Sequence, residues 1–263
     1  MNLQLQGKRA FISGSSQGIG YAIAKSLAQE GASVILNGRD QGRLDEAVQR
    51  LGAEIPGADI FSIAADFSDR RQVLALQSKL SDIDILINNV GIFEQKPFED
   101  ITDDDWQRYF EVNVMSGVRL SKYALPGMLA KKWGRIIFIS SESGVDIPES
   151  MIHYGMTKAA MLSLGNGLAK CTRGTEVTVN TILGGPTYSS SVSEIVEEIA
   201  VSRHMTTEEM KAAIIASRPT SLLQRFIEPS EIAALAVYLA SPISSATNGA
   251  ALRADGGVLT TIV

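Results

Sequence analysis

The chain has 263 residues, of which 45% are hydrophobic and 20% charged, with a formal net charge of -5. Such a composition describes a globular protein with a large core, and its acidic balance argues against a nucleic-acid partner or an anionic membrane surface. With no charged leader, no run of 18 apolar residues and a single cysteine, Cys171, a soluble cytoplasmic protein with no disulfide and no metal site is expected.

Short apolar runs alternate with helical patterns along the chain. "RAFIS" (9–13), "SVILN" (33–37), "DIFSIA" (59–64), "DILIN" (84–88), "RIIFIS" (135–140) and "EVTVNTI" (176–182) predict strands, and their continuous apolar character suits strands covered on both faces. "IGYAIAKSLAQEG" and "GRLDEAVQRLG" show helical periodicity and close on glycine, a common helix end. The repeated β-α-β-α order predicts an α/β fold, a Rossmann-type doubly wound parallel sheet with helices on both faces. Nothing resembling a linker divides it, so one domain over 1–263 is expected.

The first predicted strand runs into "SGSSQGIG" (13–20) and then directly into a helix. Gly14, Gly18 and Gly20 there allow a tight turn and a close approach of backbone and helix N-terminus to a pyrophosphate; a turn that is merely tight is the plainer alternative. After the second strand, "NGRD" sets Gly38 where an NAD-type site carries an acidic residue, followed by Arg39. The guanidinium suits a 2′-phosphate, so NADP(H) is favoured over NAD(H), although Asp40 can pair with Arg39 or cap the next helix. Asp66, after the third strand, can accept from an adenine amino group, while Ser68 or Asp69 can cap the helix that follows. "NNVG" (88–91) puts two amides and a glycine at the same sheet edge.

Asn113 interrupts an apolar-striped helical stretch, and Ser141 ends the fifth strand 13 residues before Tyr154. In "HYGMTK" (153–158), Tyr154 and Lys158 stand four apart, one turn along a single helix face. About 0.2 Tyr-x-x-x-Lys matches are expected by chance in this composition, so the pair gains its meaning from the other motifs. An ammonium beside a phenol favours the phenolate and hence proton transfer near neutral pH. His153 is expected to line the pocket or face water, and Cys171 to be an ordinary core or surface residue.

From Gly184 to about Leu222 the strand rhythm stops. "VSEIVEEIAVSRH" and "TTEEMKAAIIAS" are amphipathic after the opening "GGPTYSSS", and residues 186–222 read as a substrate lid, with an oligomer contact as the alternative. The stripes Val192, Ile195, Val196, Ile199 and Met210, Ile214, Ile215 give such a lid an apolar inner surface.

Taken in order, these motifs resemble the short-chain dehydrogenase/reductase family over nearly the whole chain. Its T-G-x-x-x-G-x-G stands as Ser13 to Gly20, its N-N-A-G as Asn88 to Gly91, and its Y-x-x-x-K as Tyr154 to Lys158; "RFIEPSEIAALAVYLASP" and "LRADGG" resemble its closing helix and strand. Ser13 for threonine and Val90 for alanine are mild departures, whereas Gly184-Gly185 replaces the Pro-Gly that packs beside the nicotinamide. The resemblance implies Asn113, Ser141, Tyr154 and Lys158 as the catalytic set. It implies a cofactor site of Gly14, Ser16, Gln17, Gly18, Ile19, Gly20, Arg39, Asp66, Phe67, Asn89, Gly91, Tyr154, Lys158, Gly185, Pro186 and Thr187. The implied activity is hydride transfer between NADP(H) and a ketone or secondary alcohol, in a homo-oligomer, dimer or tetramer. A 3-oxoacyl-[acyl-carrier-protein] reductase and a non-catalytic dinucleotide-binding regulator stand as alternatives.

Overall fold

The computed structural model describes residues 2–76, 79–80 and 82–262. Seven parallel strands make one sheet in the order β3-β2-β1-β4-β5-β6-β7: β1 Arg9–Ile12, β2 Ser33–Gly38, β3 Ile60–Ala64, β4 Ile85–Asn88, β5 Trp133–Ser141, β6 Glu176–Gly184 and β7 Ala251–Ala254. The order reverses between β1 and β4, which leaves a crevice at the carboxyl ends of those strands.

Alternation along the central strands sorts their side chains onto two faces. Ala10, Ile12, Val34, Leu36, Ile85, Ile87, Ile137 and Ile139 share one core with α1 (Gly18–Gln29), α2 (Gln41–Glu54) and α9 (Pro229–Ala240). Phe11, Ile35, Leu86, Ile136 and Phe138 enter the other, against α3 (Arg70–Leu76), α5 (Ser116–Lys131) and α6 (Ile152–Lys170). Burying each such side chain contributes about 1.5–3 kcal/mol, so both faces are strongly held. α4 (Asp103–Tyr109) opens on a capping box formed by Thr102 and Asp105.

Three expectations need correction. β3 is not covered on both faces: it is the edge strand of the sheet among the described residues, where the cover of packed elements ends, and Phe61 stands half exposed. α2 runs past Gly52 to Glu54, since the backbone turns left-handed only at Gly57. β5 and β6 extend to nine residues each, longer than their apolar runs, because Ser141 and Gly184 pair at their ends.

After β6 the chain makes a parallel bridge between Thr187 and Ile227, enclosing α7 (Ser190–Ser202) and α8 (Thr207–Ala216). These two helices share a small core of Val196, Ala200 and Met210, flanked by Val192, Ile199 and Ile214. Ile195 lies off that seam and is exposed, so one member of the expected stripe faces outward. Cys171, just beyond α6, is exposed. Among the described residues no helix is long and apolar enough to cross a membrane.

Candidate active site

The glycine turn between β1 and α1 is held from two other strands. Gly14 has φ +63, a left-handed backbone that favours glycine. Its N–H donates to Asn37 Oδ1 at 3.1 Å, from the end of β2. Asn89 Nδ2 donates to the carbonyls of Ser13 and Gly14 at 3.0 and 2.8 Å, while Ser13 Oγ accepts from the N–H groups of Asn89 and Val90. α1 then starts after Gln17, which is extended and gives no side-chain cap, and its first turn holds no acidic residue. Its leading N–H groups at Gly18, Ile19 and Gly20 therefore form a donor set suited to an anion. A pyrophosphate fits that set.

Two cofactor candidates behave differently from expectation. The Asn89 amide is spent on the glycine turn, so it supports the site from behind. The Phe67 ring is buried in the core with Val73 and Leu86, leaving only its backbone to face a ligand. Asn37 went unnoticed in the sequence; its one signal there is a lone amide closing the apolar run "SVILN".

At the end of β2, Gly38 lies against Ser16: a Cβ on it would stand 3.3 Å from Ser16 Oγ. Asp40 is committed to capping α2, accepting from the Arg43 N–H at 2.8 Å, and among the described residues Arg39 makes no ion pair. Asp66 Oδ1 accepts from both the N–H and the hydroxyl of Ser68, and Asp69 rather than Ser68 accepts from the Arg71 N–H at the start of α3. Arg50, also missed, lies over the Tyr21 ring and reaches the Ser16 carbonyl.

Ser141, Tyr154, Lys158 and Asn113 meet at the carboxyl edge of β5. The first two turns of α6 carry Tyr154 and Lys158 on one face, and Ser140 Oγ ties that helix to β5 by donating to the Lys158 carbonyl at 2.9 Å. Lys158 Nζ lies 5.5 Å from the Tyr154 ring centroid and donates to the Ile139 carbonyl at 3.0 Å. Ser141 Oγ accepts from the Ser143 N–H and donates to Glu142 Oε2 at 2.5 Å. Asn113 belongs to a π-helical turn, Phe110–Met115, inserted between α4 and α5. Its Oδ1 accepts from the Ile92 N–H, and its Nδ2 donates to the Ile92 carbonyl and to Thr157 Oγ1. Gly91 lies between Asn113 and Lys158: a Cβ there would be 3.5 Å from both Oδ1 and Nζ.

The electrostatic balance inverts the simple expectation for the pair. Burial lowers the Lys158 ammonium to about 8 and holds the Tyr154 phenol well above its ordinary value, with Glu142 raising the phenol further. Desolvation disfavours both charged forms; it outweighs the Ser141 hydrogen bond, which favours the Tyr154 phenolate, and the Glu142 charge, which favours the Lys158 ammonium. His153 neither lines the pocket nor faces water. It is fully buried against Tyr109, ring centroids 4.0 Å apart, with neither nitrogen hydrogen-bonded among the described residues; one residue before Tyr154, about 100° around α6, it faces α4.

At the end of β6, a Cβ on Gly185 would stand 2.5 Å from the Asp255 carbonyl oxygen, which explains glycine there. Pro186 and Thr187 follow, with Thr187 Oγ1 donating to the Gly185 carbonyl.

The family model of the short chain dehydrogenases matches residues 8–200. An uncharacterized oxidoreductase, YvaG, of Bacillus subtilis is 44% identical over 263 residues, covering the whole of both chains. D-beta-hydroxybutyrate dehydrogenase of Cupriavidus necator is 33% identical over 96% of this chain and 98% of its own. Among solved structures, L-sorbose reductase from Gluconobacter frateurii, complexed with NADPH and L-sorbose, superposes with a TM-score of 0.93 at 31% identity over the full length of both.

Proposed function

Since this chain belongs to the short-chain dehydrogenase/reductase family and is an oxidoreductase, we propose that it interconverts a free ketone and a secondary alcohol with NADP(H), using Tyr154 as proton donor and acceptor. The observation that carries the reading is the convergence of Ser141, Tyr154 and Lys158 at the sheet edge beside the uncapped start of α1. When bound, the nicotinamide supplies or receives the hydride. The chain handles the proton: Tyr154 gives it to the carbonyl oxygen in reduction and takes it back in oxidation. Lys158, with its lowered affinity for a proton, restores the phenol and holds the cofactor ribose; Asn113 orders the path to solvent. Ser141 orients the substrate oxygen.

Gly14, Ser16, Gln17, Gly18, Ile19 and Gly20 hold the pyrophosphate, with Asp66, Phe67, Asn89 and Gly91 completing the adenosine and ribose walls and Gly185, Pro186 and Thr187 seating the nicotinamide. Arg39, exposed and without an ion pair among the described residues, favours the 2′-phosphate, and Gly38 offers no carboxylate to repel it. NADPH in the L-sorbose reductase structure supports the same choice. Residues 186–222 act as a lid within a single domain. Their three cations face five carboxylates, which disfavours an acidic carrier protein, and the relatives named for β-hydroxybutyrate and L-sorbose support a free small substrate. The same reading includes a homo-oligomer, and the free Cys171 suits a reducing cytoplasm.

The test is to follow NADPH and NADH oxidation with a panel of free ketones and keto acids and with a 3-oxoacyl thioester, carrier-linked and short. Turnover of a free ketone with NADPH is expected. A large preference for the carrier-linked thioester overturns the substrate assignment, and binding of dinucleotide without turnover of any carbonyl overturns the catalytic one.

A further inference from the structure

One charged pair inside the site has no place in the chemistry above. Glu142 directly follows Ser141 and is buried; its Oε2 accepts the Ser141 hydroxyl proton at 2.5 Å, and its Oε1 pairs with Arg218 Nη1 at 3.0 Å. Arg218 stands 76 residues away, just beyond α8, within the segment proposed as lid. A carboxylate buried in this way requires a partner, and among the described residues Arg218 is the one cation in an ion pair with it.

The pair acts on Ser141 first. A hydroxyl carries one proton. With that proton given to Glu142 and the Ser143 N–H donating to its oxygen, Ser141 offers the substrate a lone pair instead of a donor. The pair also sets the charge facing the proton chemistry. Tyr154 is faced by Ser141 and Glu142 from the turn after β5, Tyr109 from α4, Arg218 from beyond α8, Lys158 from its own helix and the edge of Phe93. Glu142 is the charge that faces Lys158.

We propose that Glu142 and Arg218 are positioning residues, in which the lid-borne guanidinium neutralises the carboxylate and thereby directs the Ser141 hydroxyl and sets the charge beside Tyr154 and Lys158. The proposal rests on the reading that these residues move the proton. With Arg218 engaged on Oε1, Oε2 still holds the serine proton, so a carbonyl oxygen competes for that hydroxyl with a carboxylate whose charge the guanidinium has balanced. With Arg218 withdrawn, an unbalanced buried carboxylate keeps the serine and favours proton-bound forms of both Tyr154 and Lys158. Lid position and proton transfer are thus linked through one ion pair.

Titrating the Lys158 ammonium tests this without any substrate. In protein labelled with carbon-13 at the lysine ε position, the chain has ten lysines and Lys158→Met identifies the resonance. Relative to wild type, Glu142→Gln is expected to lower the midpoint and Arg218→Met to raise it, each by roughly half a pH unit or more. Arg218→Lys should remain near wild type, and the double variant should fall back toward Glu142→Gln. On the fastest carbonyl of the panel, the pH optimum should move in the same directions. Shifts of the same sign, or no shift in either variant, overturn the proposal; a lid that merely covers substrate changes KM and leaves the Lys158 midpoint alone. If Glu142→Gln does not fold, the opposition between Arg218→Met and Arg218→Lys decides. An active Tyr154→Phe enzyme sinks the proton-transfer reading separately, since the Lys158 midpoints do not depend on turnover.

Discussion

The Asp255 carbonyl closes on Gly185, so that the ends of β6 and β7 meet where the nicotinamide is proposed to sit. The Gly185 N–H donates to the Ala254 carbonyl at 3.1 Å, which fixes the two chains at that separation. Any side chain must push them apart. Gly185→Ala is expected to cost about 1–3 kcal/mol of stability, the usual scale of overpacking, and to weaken dinucleotide binding. Thermal melts and cofactor fluorescence titrations check both, and an unchanged melt removes the steric argument.

Tyr154→Phe keeps the ring against Phe93 but removes the transferable proton. Turnover should fall by about 100-fold or more, the usual worth of general acid–base catalysis, while cofactor affinity stays within a few-fold. Lys158→Ala should harm both. A phenylalanine variant turning over at close to the wild-type rate contradicts the assignment.

Arg39→Ala should weaken NADPH by about 1.5–3 kcal/mol, the scale of a charge-assisted hydrogen bond, and leave NADH nearly unchanged. Asp40 already serves α2, so the substitution leaves no carboxylate stranded. Parallel titrations of the two cofactors decide, and equal losses count against Arg39 as the selector.

Lys158 makes stability depend on pH in the alkaline range. Below about pH 8 it is protonated folded and unfolded, and the cost of burying the ammonium is constant. Between about 8 and its ordinary 10.5 the unfolded chain binds more protons, so stability rises with pH. Tyr154, held above 10.0, opposes this only past pH 10. Urea midpoints should therefore increase from pH 8 to 10 in the wild type, and Lys158→Met should flatten the rise. A rise that persists in the variant assigns it to another group.

The order of strands and helices, the glycine turn and the Tyr154–Lys158 spacing were legible in the sequence because each is a local pattern. Alternation with period two sorted Ile12 and Phe11 to opposite faces, and a separation of four put the phenol and the ammonium on one helix face. The tertiary structure alone decided what those residues meet. Asn37 reaches Gly14 across 23 residues and Asn89 reaches back across 75. The edge position of β3 depends on which strands pair, and the π turn at Asn113 on the packing around it. The sign of the Lys158–Tyr154 balance followed from burial, which spacing does not encode. Glu142 and Arg218 lie 76 residues apart, and only the return of the chain beyond α8 to the end of β5 makes them one pair.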